Sequence, residues 1–452
     1  MKPANFLKFC LLWLLMTSFS TFAQGVQFEA GPWSDVLKKA AREKKLVLLH
    51  IDSKDCSQCV EVATVGFRSP VLREKYNLNF VSYRINPATP EGAEVAGRYS
   101  IANGPVSLYL AADGSLLHRF NASTTNAIQL SEQAEIALSR RNQPSLVQME
   151  REYTAGNRKP QFLRTYLERR QSVELDTEEV LDVYVKSLPA DSLRSAPTLL
   201  FILERAPVLG SRADSLVRRD WRRLDSLYRF GLRGRAAQIN TGIINKSRAK
   251  AVRTRDARLA FQTANFARST HTRDERRGQY VFEWNMLHFF RESGDTARYI
   301  RAAIPFYELN FMSVKVDSIA RLDEQDRQNF LRSLSQSPGS RSAGYAPNPH
   351  GTRLSQSLNG AAWSFWEMAT EPDALERALV WSKRSMEFLS HPNPSLMDTY
   401  ARLLYKLGRR PEAIEWQTRA VEINRQQGMP SETFSKALAA MKAGTLKPGQ
   451  KN

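Results

Sequence analysis

Cys56 and Cys59 bracket Ser57-Gln58 shortly after an apolar run, Leu46-Val47-Leu48-Leu49-His50-Ile51, and at the head of a segment with helical character. No other feature constrains the fold as strongly. A run of roughly 4–8 apolar residues bounded by turn residues reads as a buried strand. Unpaired N–H groups and the positive dipole end at a helix start stabilise a nearby thiolate. Cys56 is therefore the expected nucleophile. Cys59, one turn on, is the expected resolving thiol, because disulfide exchange needs an exposed thiolate and a second thiol within reach. Three other readings stand beside this one: a structural disulfide, a zinc site, and a fold that has lost efficient chemistry. A four-residue loop constrains little unfolded-chain entropy. No second CxxC or paired-His motif among the six His completes a zinc set. No metal and no cofactor is expected, and no P-loop, GxSxG or GxGxxG motif supports a nucleotide or hydrolase site.

The N-terminus sets the compartment. Lys2 and Lys8 form a basic region, Leu11 to Met16 a short apolar one, and Thr21-Phe22-Ala23 a cleavage site before Gln24. Residues 1–23 thus read as a signal peptide, with a retained anchor as the alternative. The apolar run is shorter than the ~20 residues a membrane span needs, so no transmembrane anchor is expected after cleavage. Cleavage removes Cys10 and leaves Cys56 and Cys59 as the only cysteines of an exported chain, in the periplasm or cell envelope, where disulfides persist.

Residues 24–140 alternate between helix and strand patterns. Helices are expected from Trp33 to Lys45, Cys56 to about Val65, Val71 to Tyr76, Glu91 to Tyr99 and Ile128 to Arg140. Strands are expected at Leu46–Ile51, Phe80–Ile85, Val106–Leu110 and Leu116–Phe120, the last two joined by a turn at Asp113-Gly114. Alternating strands and helices predict an α/β layer fold. From about Pro144 the strand signal vanishes, and residues 141–335 read as helices, among them Gln161–Arg170, Thr177–Ser187 and Phe282–Ser293. A Ser/Pro/Gly-rich stretch, 336–353, reads as a linker. Over 354–445 the helices repeat. A shift of 35 residues aligns Ala378 with Ala413, Trp381 with Trp416 and Arg384 with Arg419, close to the ~34-residue tetratricopeptide period. Trp363, Phe365, Trp366, Trp381 and Trp416 fall at helix-packing spacing, with a ligand groove as the alternative to core.

The formal charge is +19, and between Arg205 and Tyr280 there are 19 Lys/Arg against 6 Asp/Glu. Such an excess in a cytoplasmic protein suggests nucleic acid. For an exported chain no nucleic acid is expected, and the readings are a solvated Arg-rich surface or an anionic envelope partner.

Residues 28–140 resemble an exported thioredoxin-family protein, of the branch with a helical or tetratricopeptide-like C-terminal half. The resemblance rests on Trp33, the strand before Asp55-Cys56-Ser57-Gln58-Cys59, Phe67-Arg68-Ser69-Pro70-Val71, Asn79-Phe80-Val81, Pro90-Glu91-Gly92, Tyr99-Ser100-Ile101, Pro105 and Asp113-Gly114. It covers about a quarter of the chain. The helical half resembles the same group more loosely, through Asp295-Thr296, Leu358-Asn359, Trp363 and Asp398-Thr399-Tyr400-Ala401. The implied architecture is an α/β thioredoxin-like N-terminal domain followed by an all-α, TPR-like helical-repeat region. The implied function is an exported thiol–disulfide oxidoreductase acting on protein disulfides, its repeats recruiting a protein client or partner. The alternative is a non-catalytic envelope scaffold whose repeats bind a protein.

The resemblance also implies that Pro105 is a cis proline facing the reactive cysteines and the substrate, the alternative being an ordinary trans proline. Several positions depart from the family pattern. Asp55 stands where a Trp usually precedes the first cysteine, and a carboxylate there opposes thiolate formation. His50 replaces a buried Asp that handles protons, so it is a candidate proton carrier and equally a hydrogen-bonded core residue. Gly104 replaces a Thr or bulkier residue, which is expected to open that edge.

Overall fold

The computed structural model describes residues 25–53, 57–101, 104–121, 123–336, 348–428 and 431–447. The expected signal peptide, Cys56, Asp55 and most of the expected linker lie outside these residues. Internal contacts divide the chain into two units: the first runs through Leu232 except for Val208–Gly210, and the second comprises Val208–Gly210 and everything from Arg233 on. The helical stretch expected over 141–335 is thus shared between them.

The first unit opens with β1 (Phe28–Glu29), α1 (Trp33–Glu43), β2 (Leu46–Ile51), α2 (Ser57–Phe67), α3 (Pro70–Asn79), β3 (Phe80–Ile85), α4 (Pro90–Arg98), β4 (Val106–Leu110), β5 (Leu116–Phe120) and α5 (Ala127–Ser139). The strands lie in the order β1-β3-β2-β4-β5. β1, β3 and β2 run parallel, and β4 is antiparallel to both β2 and β5. β2 is central and wholly buried because both faces of the sheet are covered, which is why its sequence is apolar at every position but His50. Val47, Leu49 and Ile51 pack on one side with Trp33, Val36 and Ala40 of α1 and Val95 of α4. Leu46 and Leu48 pack on the other with Phe67, Tyr76 and Leu130 from α2, α3 and α5. Local chemistry sets the ends. Thr89 caps α4 by accepting from the Gly92 N–H, with Pro90 at its first position. Between β4 and β5, Gly114 takes φ +81° and the Asp113 carboxylate accepts from Ser115 N–H at 2.9 Å. This is a thioredoxin-like α/β domain, and it leads into a largely helical remainder.

The unit continues as α6 (Leu146–Thr154), α7 (Pro160–Ser172), α8 (Glu178–Ser187), α9 (Ala196–Leu203), α10 (Arg212–Arg218) and α11 (Trp221–Ser226). Its helices are tied by points such as Asp182, whose carboxylate accepts from the backbone N–H groups of Arg212 and Ala213 at the head of α10.

The second unit is helical: α12 (Ala236–Thr254), α13 (Ala257–Ser269), α14 (Glu275–Glu292), α15 (Thr296–Tyr307), α16 (Val316–Gln336), α17 (Pro349–Met368), α18 (Pro372–Glu387), α19 (Pro394–Lys406), α20 (Arg410–Gln426) and α21 (Glu432–Ala443). α17 begins inside the stretch expected to be linker. The short connections between α17 and α18 and between α19 and α20 make antiparallel helix pairs. Positions one 35-residue shift apart are equivalent in packing: Ala378 and Ala413 are fully buried, as are Ser385 and Ala420. Phe365, Trp366 and Trp381 fill the core, and Trp416 meets Tyr400 edge-on at 4.8 Å. These aromatics are packing residues. Among the described residues no helix is long and apolar enough to cross a membrane.

Candidate redox site

The site is built where the central strand ends. β2 stops at Ile51, the Asp52 N–H extends the ladder by donating to Ile85 O at 3.0 Å, and α2 starts at Ser57. Cys59 lies in the first turn of α2, half-buried and disulfide-bonded. Its carbonyl accepts from the Ser123 hydroxyl at 2.7 Å, which anchors this turn to the loop before α5.

The Gly104–Pro105 peptide bond is cis, and Pro105 immediately precedes β4. Val106 pairs with Ile51 in the antiparallel ladder, so the proline sits against the end of β2. Gly104 does not open that edge as expected. A Cβ there would lie 2.3 Å from Asp52 O and 3.1 Å from Ser53 N, so backbone already occupies the space. Glycine is needed for this close approach of two chain segments.

His50 points to the α2 side of the sheet, where its ring meets Phe67 edge-on at 5.2 Å. It is 1% exposed and its Nδ1 is 2.9 Å from Ser107 Oγ. Burial, with a smaller push from the Arg84 charge, lowers its pKa to about 3. The imidazole is therefore neutral near pH 7. Of its two readings, these surroundings favour the hydrogen-bonded core residue over the proton carrier.

Two residues here escaped the sequence reading. The Asp52 carboxylate, 14% exposed, accepts from Arg84 Nε at 2.9 and 3.1 Å. Partial burial raises its pKa, and Arg84 opposes that rise without cancelling it. The signal was Arg84 itself, a charge inside an apolar strand that needs a counter-ion. Finding Asp52 required the register that sets Ile51 beside Ile85. Among the described residues no cluster of His, Cys, Asp or Glu is arranged to hold a metal.

No family model matches the chain, and no curated protein matches it. Two solved structures are similar over the N-terminal part. One is a thioredoxin from Thermus thermophilus, 19% identical, with 26% of this chain and 91% of that one covered and a TM-score of 0.24. The other is a putative disulphide-isomerase from Bacteroides thetaiotaomicron, 24% identical, covering 26% of this chain and 95% of that one with a TM-score of 0.23.

Proposed function

We propose that the chain is an exported thiol–disulfide oxidoreductase acting on protein disulfides. Cys56 attacks, Cys59 resolves, and the helical repeats recruit the client. The observation that carries this reading is a disulfide-bonded cysteine in the first turn of a helix, just beyond a central strand whose end abuts a cis proline. In the reductive direction, the Cys56 thiolate attacks a client sulfur and releases the other client sulfur as a thiolate, which takes up a proton. Cys59, deprotonated, then attacks Cys56, releasing the second client thiol and leaving the Cys56–Cys59 disulfide. A partner dithiol re-reduces it.

The test is mixed-disulfide trapping. Cys59→Ser should accumulate client adducts through Cys56, because the resolving attack is gone. Cys56→Ser should accumulate few. Equal trapping by both variants, or no disulfide reduction by the wild type under any redox poise, would overturn the enzyme reading in favour of a scaffold.

A further inference from the structure

A cavity of about 370 Å³ opens in the first unit between the short turn Ser192–Arg194, helix α9, and the junction of α10 with α11. Its lining divides by chemistry. Leu199 and Val217 are buried and Leu193 and Leu216 half-buried, so the deeper wall is apolar. Arg194, Arg219 and Arg223 also line it and are exposed. Arg223 reaches across from α11 and donates from Nη1 to Arg194 O at 2.6 Å, which ties together two of the segments that carry the arginines. The volume lies at the lower end of the ~300–1,000 Å³ typical of small-molecule sites, and apolar walls with a few polar groups are their usual chemistry.

No carboxylate of the described residues pairs with these three arginines. The acids beside them are engaged elsewhere: Asp214 with Arg218 at 2.6 Å, and Asp225 with Arg229 at 2.9 Å. Asp220 lines the cavity too, but its Oδ1 accepts from the backbone N–H groups of Arg222 and Arg223, at 3.1 and 3.2 Å, and so caps α11. Three guanidiniums against one aspartate leave the lining with two positive charges in excess. Arg219 and Arg223 belong to the basic stretch between Arg205 and Tyr280, whose charge here meets apolar surface.

We propose that this cavity binds a small amphiphile with a single carboxylate head and a short apolar chain. The head takes N–H donors of the arginines, whose planar forks match two carboxylate oxygens. The chain lies on Leu193, Leu199, Leu216 and Val217 and removes their remaining surface from water. Asp220 disfavours a second negative charge on the head, because like charges repel. The site is independent of the redox reading.

The experiment is calorimetric titration of the full chain with straight-chain carboxylates from butanoate to decanoate, and with octanol, octylamine and octyl phosphate. Octanoate should bind saturably. Affinity should rise about three- to fourfold with each added methylene and level off once the cavity is filled. Octanol and octylamine, which lack a negative head, should bind at least about fivefold more weakly than octanoate. Arg219→Gln changes an exposed side chain with no ion pair, so it should fold, and it should weaken octanoate roughly three- to fivefold, the scale of one exposed charge pair. Arg229→Gln removes the same charge from the same basic stretch outside the cavity and should bind octanoate like wild type. The proposal is overturned by no saturable octanoate binding, by affinity that does not change with chain length, or by octanol binding as tightly as octanoate. Tighter binding of octyl phosphate than of octanoate, or equal weakening by Arg219→Gln and Arg229→Gln, overturns it as well.

Discussion

The His50 imidazole stands 3.7 Å from the Asp52 carboxylate, yet the carboxylate is held by Arg84 at 2.9 Å and the imidazole stays neutral in the core. Burial explains the division. At 1% exposure a charged His50 would forgo nearly all hydration, and Asp52 already has a cation.

That arrangement predicts an acid-linked loss of stability. The folded pKa of His50 is about 3, below the ordinary value of 6.5. Between these values the unfolded chain binds more protons, so stability rises with pH and falls as pH drops from about 6.5 toward 3. Asp52 works in the opposite sense near its own titration, since its folded pKa is raised. His50→Gln removes the imidazole and leaves Asp52. Urea unfolding from pH 4 to 7 should show a shallower slope in the variant, by up to about 1.4 kcal/mol per pH unit. Parallel pH profiles would show that the ring does not titrate in this way.

Gly104 gives a second test. An added methyl would lie 2.3 Å from Asp52 O, and the obstacle is the Asp52–Ser53 backbone. Gly104→Ala should lower stability by roughly 1–3 kcal/mol, the usual cost of overpacking. It should also slow disulfide reduction, because making room for the methyl moves the segment before β4 away from the end of β2. An unfolding midpoint equal to wild type would mean that the two segments separate freely.

In the second unit, Arg402 is 2% exposed and pairs through Nε with Asp398 Oδ2 at 2.7 Å, while Gln417 Nε2 donates to Asp398 Oδ1 at 2.8 Å. The guanidinium also lies 5.0 Å from the Trp366 ring centre. Arg402→Met leaves a buried carboxylate without its cation and should cost about 3–5 kcal/mol. The double variant Arg402→Met, Asp398→Leu should recover part of that loss. A double variant as unstable as the sum of the two single ones would show no coupling between the pair.

Strand ends were legible because apolar runs stop at turn residues. β2, β3, β4 and β5 begin and end where the sequence pattern places them. β1 was not legible, since Phe28-Glu29 is too short to show a period. The helix expected from Phe282 starts at Glu275. Its first turn is polar and exposed, and the usable sign was the cap, with Asp274 accepting from Arg277 N–H. The division after Leu232 left no trace, because helices of similar composition lie on both sides. In the site, the cysteines and Pro105 stand out as residue types. The fit of Gly104 against Asp52 and the pairing of Asp52 with Arg84 depend on register and on packing between distant segments, which single-sequence patterning does not encode.

The last prediction concerns Asp55, which precedes the proposed nucleophile. A negative charge next to Cys56 makes removal of its proton harder, whereas the start of α2 makes it easier. The two effects act on the same thiol, so neutralising Asp55 should release the second. On reduced protein, Asp55→Asn should speed alkylation of Cys56 by iodoacetamide near neutral pH by roughly three- to tenfold, the effect of about half to one pKa unit. The gain should shrink at high pH, where the wild-type thiol is already ionised, and Cys59→Ser should be the background so that one thiol is followed. An alkylation–pH profile identical in Asp55→Asn and its parent would show that the carboxylate does not act on Cys56.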